Sequence, residues 1–139
     1  TKKNIQNFGL SNYVNTSKNL IITEPLGYFD FIKLEKNAKL ILTDSGGVQE
    51  ESTYFSVPCL TLRENTERPI TITEGTNQLV DLNVESIVNN SLEIIEGKVK
   101  IGKIPEYWDG KTAERVVKVL DKWFEKRDIA TESTESTEK

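Results

Sequence analysis

The sequence predicts an α/β fold, a parallel sheet with helices on both faces, and two observations carry that expectation. Short apolar runs with β-branched character alternate with stretches of helical spacing through brief links, the arrangement of β-α-β units. One link, Asp44-Ser45-Gly46-Gly47, leads from an apolar run into a polar stretch with two glutamates, and reads as strand, tight turn and helix start. In such sheets ligands sit beyond the carboxyl ends of the strands. Three links converge there: residues 24–31, 44–51 and 63–69.

Each element has its own warrant. Residues 1–18 are rich in Asn, Lys and Ser, with Ile5, Phe8, Leu10, Tyr13 and Val14 scattered among them, and predict a short irregular helix. Residues 19–24 (Asn-Leu-Ile-Ile-Thr-Glu) predict a strand closed by Pro25, which cannot continue a ladder. Residues 28–38 predict a helix whose apolar side is Tyr28, Phe31, Ile32 and Leu34. Leu40–Thr43 is the second expected strand, Gly46 to about Phe55 the helix after the turn, and Pro58–Leu62 the third strand. A charge-dense loop, Arg63–Pro69, precedes two short extended pieces at Ile70–Thr73 and Leu79–Asp81. Val84, Ile87, Val88, Leu92 and Ile95 follow helical spacing, so residues 84–96 predict an amphipathic helix ended by Gly97. Ala113, Val116, Val117, Leu120, Trp123 and Phe124 mark a last helix over residues 111–126. The expected domain covers residues 19–127. Residues 128–139, mostly a Thr-Glu-Ser repeat, have nothing to bury and are expected to be a disordered acidic tail.

Composition narrows the function. The 139 residues suit one domain with a core, and 36% hydrophobic with 29% charged residues is the balance of a soluble globule. A net charge of −4 argues against a nucleic-acid surface. One cysteine excludes an internal disulfide, and no apolar run approaches the roughly 18 residues of a membrane span. The cytoplasm is the expected location. Without histidine, acid–base work would fall to carboxylates, Lys, Tyr or Cys. No methionine occurs either, so a piece of a longer protein is expected.

The glycine turn is the chemical centre. The first N–H groups of a helix lack internal partners and carry the positive end of its dipole, so they attract anions. Gly46 and Gly47 remove the Cβ atoms that would hold a phosphate off the backbone. Ser45 is placed as an N-cap whose hydroxyl can also meet a phosphate oxygen. Glu51, four residues after Gly47, lies on the same helical face, where its carboxylate can accept from ribose hydroxyls. For Gly-Gly alone, a packing role and a phosphate role weigh about equally. Arg63 and Arg68 are either solvated partners of Glu64 and Glu67 or phosphate contacts, and a loop at the same rim favours the second. Read by itself Phe31 belongs to a buried helix face. Cys59 reads as a small buried hydrophobe, and Tyr107 with Trp108 as packing residues that pin a linker.

Three motifs are more specific together than any one is alone. Asp44-Ser45-Gly46-Gly47-Val48-Gln49-Glu50-Glu51, the run Pro58–Pro69 with its Thr66-Glu67-Arg68-Pro69, and Glu74-Gly75-Thr76-Asn77 fall in this order over a region of about residues 19–120. This pattern resembles the C-terminal half of the non-hydrolysing UDP-N-acetylglucosamine 2-epimerases. The resemblance implies a Rossmann-like half of a glycosyltransferase-B-like architecture, with UDP-sugar in the cleft between two domains. It implies that Ser45, Gly46 and Gly47 bind the diphosphate, Glu51 the ribose and Arg68 a phosphate, and it moves Phe31 from core to the border of the uracil. No cofactor and no metal enter this reading.

The departures are as informative. The family's catalytic carboxylates lie in an N-terminal domain that this sequence does not contain, and the first strand of its C-terminal domain, with the histidine-arginine motif after it, is missing too. The resemblance implies elimination of UDP to a 2-acetamidoglucal and re-addition on the other face, so this chain is expected to hold UDP and to be inactive alone. A separate N-terminal domain and a homodimer of the full-length protein are the implied partners. A glycosyltransferase half and a non-catalytic UDP-sugar-binding module stay open as alternatives.

Overall fold

The computed structural model describes the backbone of residues 2–135 and the side chains of residues 2–127. The chain divides into two compact units, residues 1–31 and 32–139. In the first, helices α1 (Lys2–Asn7) and α2 (Ser11–Thr16) stand where one irregular helix was expected. Gly9, with φ +69°, separates them. An ion pair joins Lys2 to Glu24. The expected strand over residues 19–24 does not form: none of it enters a sheet, and Ile21 is 84% exposed. A strand exists only through its ladder, and here the apolar run finds no partner strand among the described residues.

Helix α3 (Tyr28–Lys36) straddles the boundary between the units. Its apolar residues were expected to face a core, yet Tyr28, Phe31 and Leu34 are 39–65% exposed and the one buried side chain is Glu35. That inversion bears on the site.

The second unit holds the sheet. Strands β1 (Ile41–Thr43), β2 (Cys59–Thr61) and β3 (Asn77–Leu79) pair in parallel in the order β1-β2-β3, with Ile41 opposite Cys59 and Cys59 opposite Asn77. Parallel neighbours require crossover connections. Helix α4 (Gly46–Tyr54) makes the first and α5 (Pro69–Thr73) the second. The second replaces an expected extended piece. Ile-Thr-Ile-Thr is β-branched, but Pro69 at the first helical position has its φ preset for a helix and no N–H to satisfy there. The last strand accordingly begins two residues earlier than expected.

Alternate residues of β2 point to opposite faces. Leu60 meets Val80 and Ile94 in the apolar core, with Leu40, Leu62 and Ile87 against them; Ile94 and Ile87 come from α6 (Val84–Ile95). Cys59 and Thr61 point the other way, to the side of α4 and α5, and helices thus cover both faces. Asn83 caps α6 through Ser86 N–H at 2.8 Å, and Gly97, at φ +97°, follows its end.

The remaining chain is pinned rather than buried. Lys100 Nζ donates to the carbonyls of Asn77 (2.9 Å) and Ile72, and burial pulls its pKa down. Tyr107, expected to pack, is instead 62% exposed and lies under the Arg115 guanidinium at 4.8 Å, while Arg115 pairs with Asp109 at 2.5 Å at the start of α7 (Thr112–Glu135). Helix α7 was expected to stop near residue 126 and continues to Glu135, across residues expected to be disordered. Once nucleated, a helix adds residues at small cost, and Ile129-Ala130 with neighbouring glutamates do not oppose it. Residues 136–139 of the expected tail lie outside the described residues.

Candidate nucleotide-binding site

The site grows from the carboxyl end of β1. Thr43 closes the strand, and its hydroxyl accepts from Ser45 N–H at 3.0 Å, which sets the turn. Ser45 takes the N-cap position in extended backbone (φ −86°, ψ 126°), and its carbonyl accepts the first helical bond from Gln49 N–H at 3.1 Å. Its side chain makes no capping bond, contrary to the usual use of serine there. The hydroxyl therefore stands exposed at a helix start, beside N–H groups with no intrahelical partner.

Gly46 and Gly47 stand in open surroundings. Neither Gly46 nor Gly47 has a positive φ. A Cβ on Gly46 would meet Arg68 Cγ at 3.7 Å, and one on Gly47 would meet Ser45 Oγ at 3.9 Å, both ordinary contacts. Compare Gly75, where a Cβ would fall 2.5 Å from Thr53 and 2.6 Å from the Thr71 carbonyl, or Gly102, where it would fall 2.4 Å from the Gly75 backbone. Packing demands glycine at 75 and 102. It makes no such demand at 46 and 47, and the packing explanation for that pair fails.

Arg68 comes to the turn from the loop after β2. Its Nε lies 2.8 Å from Glu50 Oε1 on α4, without the alignment of a hydrogen bond, and Nη1 donates to the Glu67 carbonyl at 3.3 Å. Glu50, which carries no signal in the sequence, is the residue that holds Arg68 next to Gly46. Arg63 stays with Glu67 at 3.8 Å, an exposed loop pair.

What fixes the loop is a buried polar network. Thr66 Oγ1 donates to Gln49 Oε1 at 2.5 Å and accepts from Arg68 N–H at 3.0 Å. Thr71 Oγ1 donates to the Arg68 carbonyl at 2.7 Å and accepts from Asn77 Nδ2 at 3.1 Å. Asn77 Oδ1 accepts from Thr61 Oγ1 at 2.8 Å. Gln49, Thr61, Thr71 and Asn77 have 0% exposure, so the bonds from Asn77 to Thr61 and Thr71 form where water cannot compete. None of the four was foreseen as a site residue. The only sequence signal was polar residues inside strand and helix cores, which periodicity assigns to solvent.

Glu51 sits on α4 about one turn beyond Gly47, half-buried, and faces Glu35. Burial first, then the Glu51 carboxylate, push the Glu35 pKa up to about 7. The structure thus brings Ser45, Gly46, Gly47, Arg68 and Glu51 to one end of the sheet. Phe31 belongs to the first unit, where it is 39% exposed rather than part of a core. A shallow pocket lined by Arg63, Glu64 and Leu79–Leu82 opens at the same carboxyl rim.

Fold and site define a parallel α/β protein with an exposed serine-glycine helix start and an arginine at the sheet's carboxyl end. A family model described as UDP-N-acetylglucosamine 2-epimerase matches residues 2–121, and the chain belongs to that family. The UDP-N-acetylglucosamine 2-epimerase of Methanocaldococcus jannaschii is 48% identical over 120 residues, 86% of this chain and 32% of the relative. A crystal structure of the M. jannaschii enzyme in complex with UDP-GlcNAc and UDP aligns with a TM-score of 0.73 at 48% identity, covering 87% of this chain and 33% of that one. The Neisseria meningitidis enzyme bound to UDP-GlcNAc aligns at 0.71 and 32% identity, over 81% and 32% of the two chains. The chain spans about a third of the length of these relatives.

Proposed function

We propose that this chain is the UDP-holding portion of an epimerase that interconverts UDP-GlcNAc and UDP-ManNAc by eliminating and re-adding UDP, and that alone it is inactive. Its role is to grip the leaving nucleotide: Ser45, Gly46 and Gly47 take the diphosphate, Arg68 neutralises it, Glu51 accepts from the ribose and Phe31 borders the uracil. The acid–base carboxylates belong to the part of the relatives that this chain does not span. In the same reading the protein works in the cytoplasm as half of a glycosyltransferase-B-like pair of domains and supplies cell-surface polysaccharide synthesis. The observation that carries the proposal is the glycine pair. The fold leaves room for a Cβ at both positions, so its absence there fits a ligand that approaches the backbone.

The test is calorimetry with UDP, UMP and uridine. UDP should bind in the range of about 10–1000 μM and more tightly than uridine. Gly46→Ala and Gly47→Ala should leave stability unchanged or raised by about 0.5–1 kcal/mol, since alanine is the better helix former, and should abolish the preference for UDP. Arg68→Ala should weaken UDP by about 1.5–3 kcal/mol and flatten the salt dependence. Glu51→Gln should weaken ribonucleotides more than their 2′- or 3′-deoxy analogues. Equal affinity for UDP and uridine would sink the diphosphate assignment.

A further inference from the structure

Glu35 touches none of the nucleotide groups in the proposed site. It is 4% exposed, yet it lies on a helix whose other side chains, the half-buried Ile32 aside, face solvent. Neither carboxyl oxygen accepts a hydrogen bond among the described residues. A buried ionised carboxylate without a partner is among the costliest groups a fold can carry. Two groups face it. One is the Glu51 carboxylate on α4, and the other is the Cys59 thiol on β2, itself held protonated by burial. Lys33 and Lys36 on its own helix are exposed and do not neutralise it. A buried carboxyl beside a carboxylate settles in one way, by keeping its proton and turning its O–H toward its neighbour.

We propose that Glu35 is a positioning residue for Glu51: its buried, protonated carboxyl donates to the Glu51 carboxylate and holds it for the ribose, so that sugar-nucleotide binding is strongest while Glu35 carries its proton. The inference rests on the ribose role given to Glu51 above. With Glu35 neutral, one oxygen of Glu51 is tethered and the other lone pairs are left for the ribose hydroxyls. With Glu35 ionised, two carboxylates repel and Glu51 swings away. A bound diphosphate adds negative charge beside the pair and excludes water, which favours the protonated form further. Binding therefore takes up a proton where Glu35 would otherwise be losing one, around pH 7.

UDP-N-acetylglucosamine is the probe, because both its phosphates are esterified and keep their charge from about pH 5.5 to 8.5, unlike the terminal phosphate of UDP. Its affinity for this chain should fall about three- to tenfold between pH 6 and 8.5. Calorimetry at pH 7 in buffers of different ionisation enthalpy should show net proton uptake. Glu35→Gln keeps a donor toward Glu51 and cannot titrate, so it should retain the low-pH affinity and lose the pH dependence. If that variant does not fold, proton uptake by the unmodified chain decides alone. Affinity that is flat across the range, with no proton taken up, overturns the inference and leaves the UDP-binding reading intact. A pH dependence that persists in Glu35→Gln assigns it to another group and also overturns it. No binding at any pH defeats both readings.

Discussion

The two faces of the sheet are built from different materials. On one, Leu60 packs with Val80 and Ile94, side chains that can neither hydrogen-bond nor titrate. On the other, Thr61, Asn77, Thr71 and Gln49 are as thoroughly buried but are joined through donors and acceptors that run to Thr66 and the backbone of Arg68. Both faces hold the sheet between helices. Only the polar one fixes a direction: an apolar contact tolerates small slides, whereas a chain of hydrogen bonds sets where the Arg68 loop stands relative to the glycine turn. The apolar face serves stability, and the polar face also sets the geometry of the proposed site.

That division can be broken most severely from the apolar side. Leu60→Ala leaves a cavity at the centre of the core and should cost about 3–5 kcal/mol in a denaturant melt. In whatever fraction stays folded, the ratio of UDP to uridine affinity should be unchanged. A change in that ratio would mean that the two faces are not separable.

Next in size is the pH dependence of stability, which should come from the polar side. Glu35 is raised in the folded chain from 4.5 to about 7. The folded state therefore binds the proton more tightly than the unfolded one. Its stabilising effect is complete below about pH 4.5 and is lost as pH rises through about 7, an amount on the order of 3 kcal/mol. Urea midpoints at pH 5 and pH 8 should differ in that direction. Glu35→Gln should remove the difference, and Leu60→Ala should keep it.

Asn77→Ala should have a smaller effect on the fold and a larger one on function. It leaves the Thr61 and Thr71 hydroxyls without the carboxamide between them, at a cost of about 1–3 kcal/mol. Because Thr71 also holds the Arg68 carbonyl, UDP should bind more weakly and uridine almost as before. If both ligands bind as in the parent chain, the network is scaffold alone.

How much of this was legible in the sequence follows from how local each signal is. The turn at Ser45-Gly46-Gly47 and the helix after it are encoded within about ten residues, and they stand where expected. The α6 span was read from its own periodicity and the glycine that ends it. Residues 19–24 failed because an apolar β-branched run specifies a willingness to pair, and the partner is a matter of the rest of the chain. The piece at 70–73 failed because β-branched residues outweighed Pro69, although the proline decides how the segment starts. At the site, Arg68 and the glycines were visible through charge and turn chemistry. Glu50, Gln49, Asn77 and Glu35 were not, because polar residues are assigned to solvent by default, and only the assembled fold shows which are enclosed.

Cys59 gives the protein a reporter that needs no engineering. It is the chain's one thiol, it lies at 0% exposure in the central strand, and burial raises its pKa above the usual thiol range. An alkylating reagent reacts with an accessible thiolate and with little else. In native buffer the modification rate of Cys59 is therefore a clock for opening of the sheet itself, blind to fraying at the chain ends. A ligand that binds only the closed sheet slows that clock by the factor of one plus its concentration over its dissociation constant.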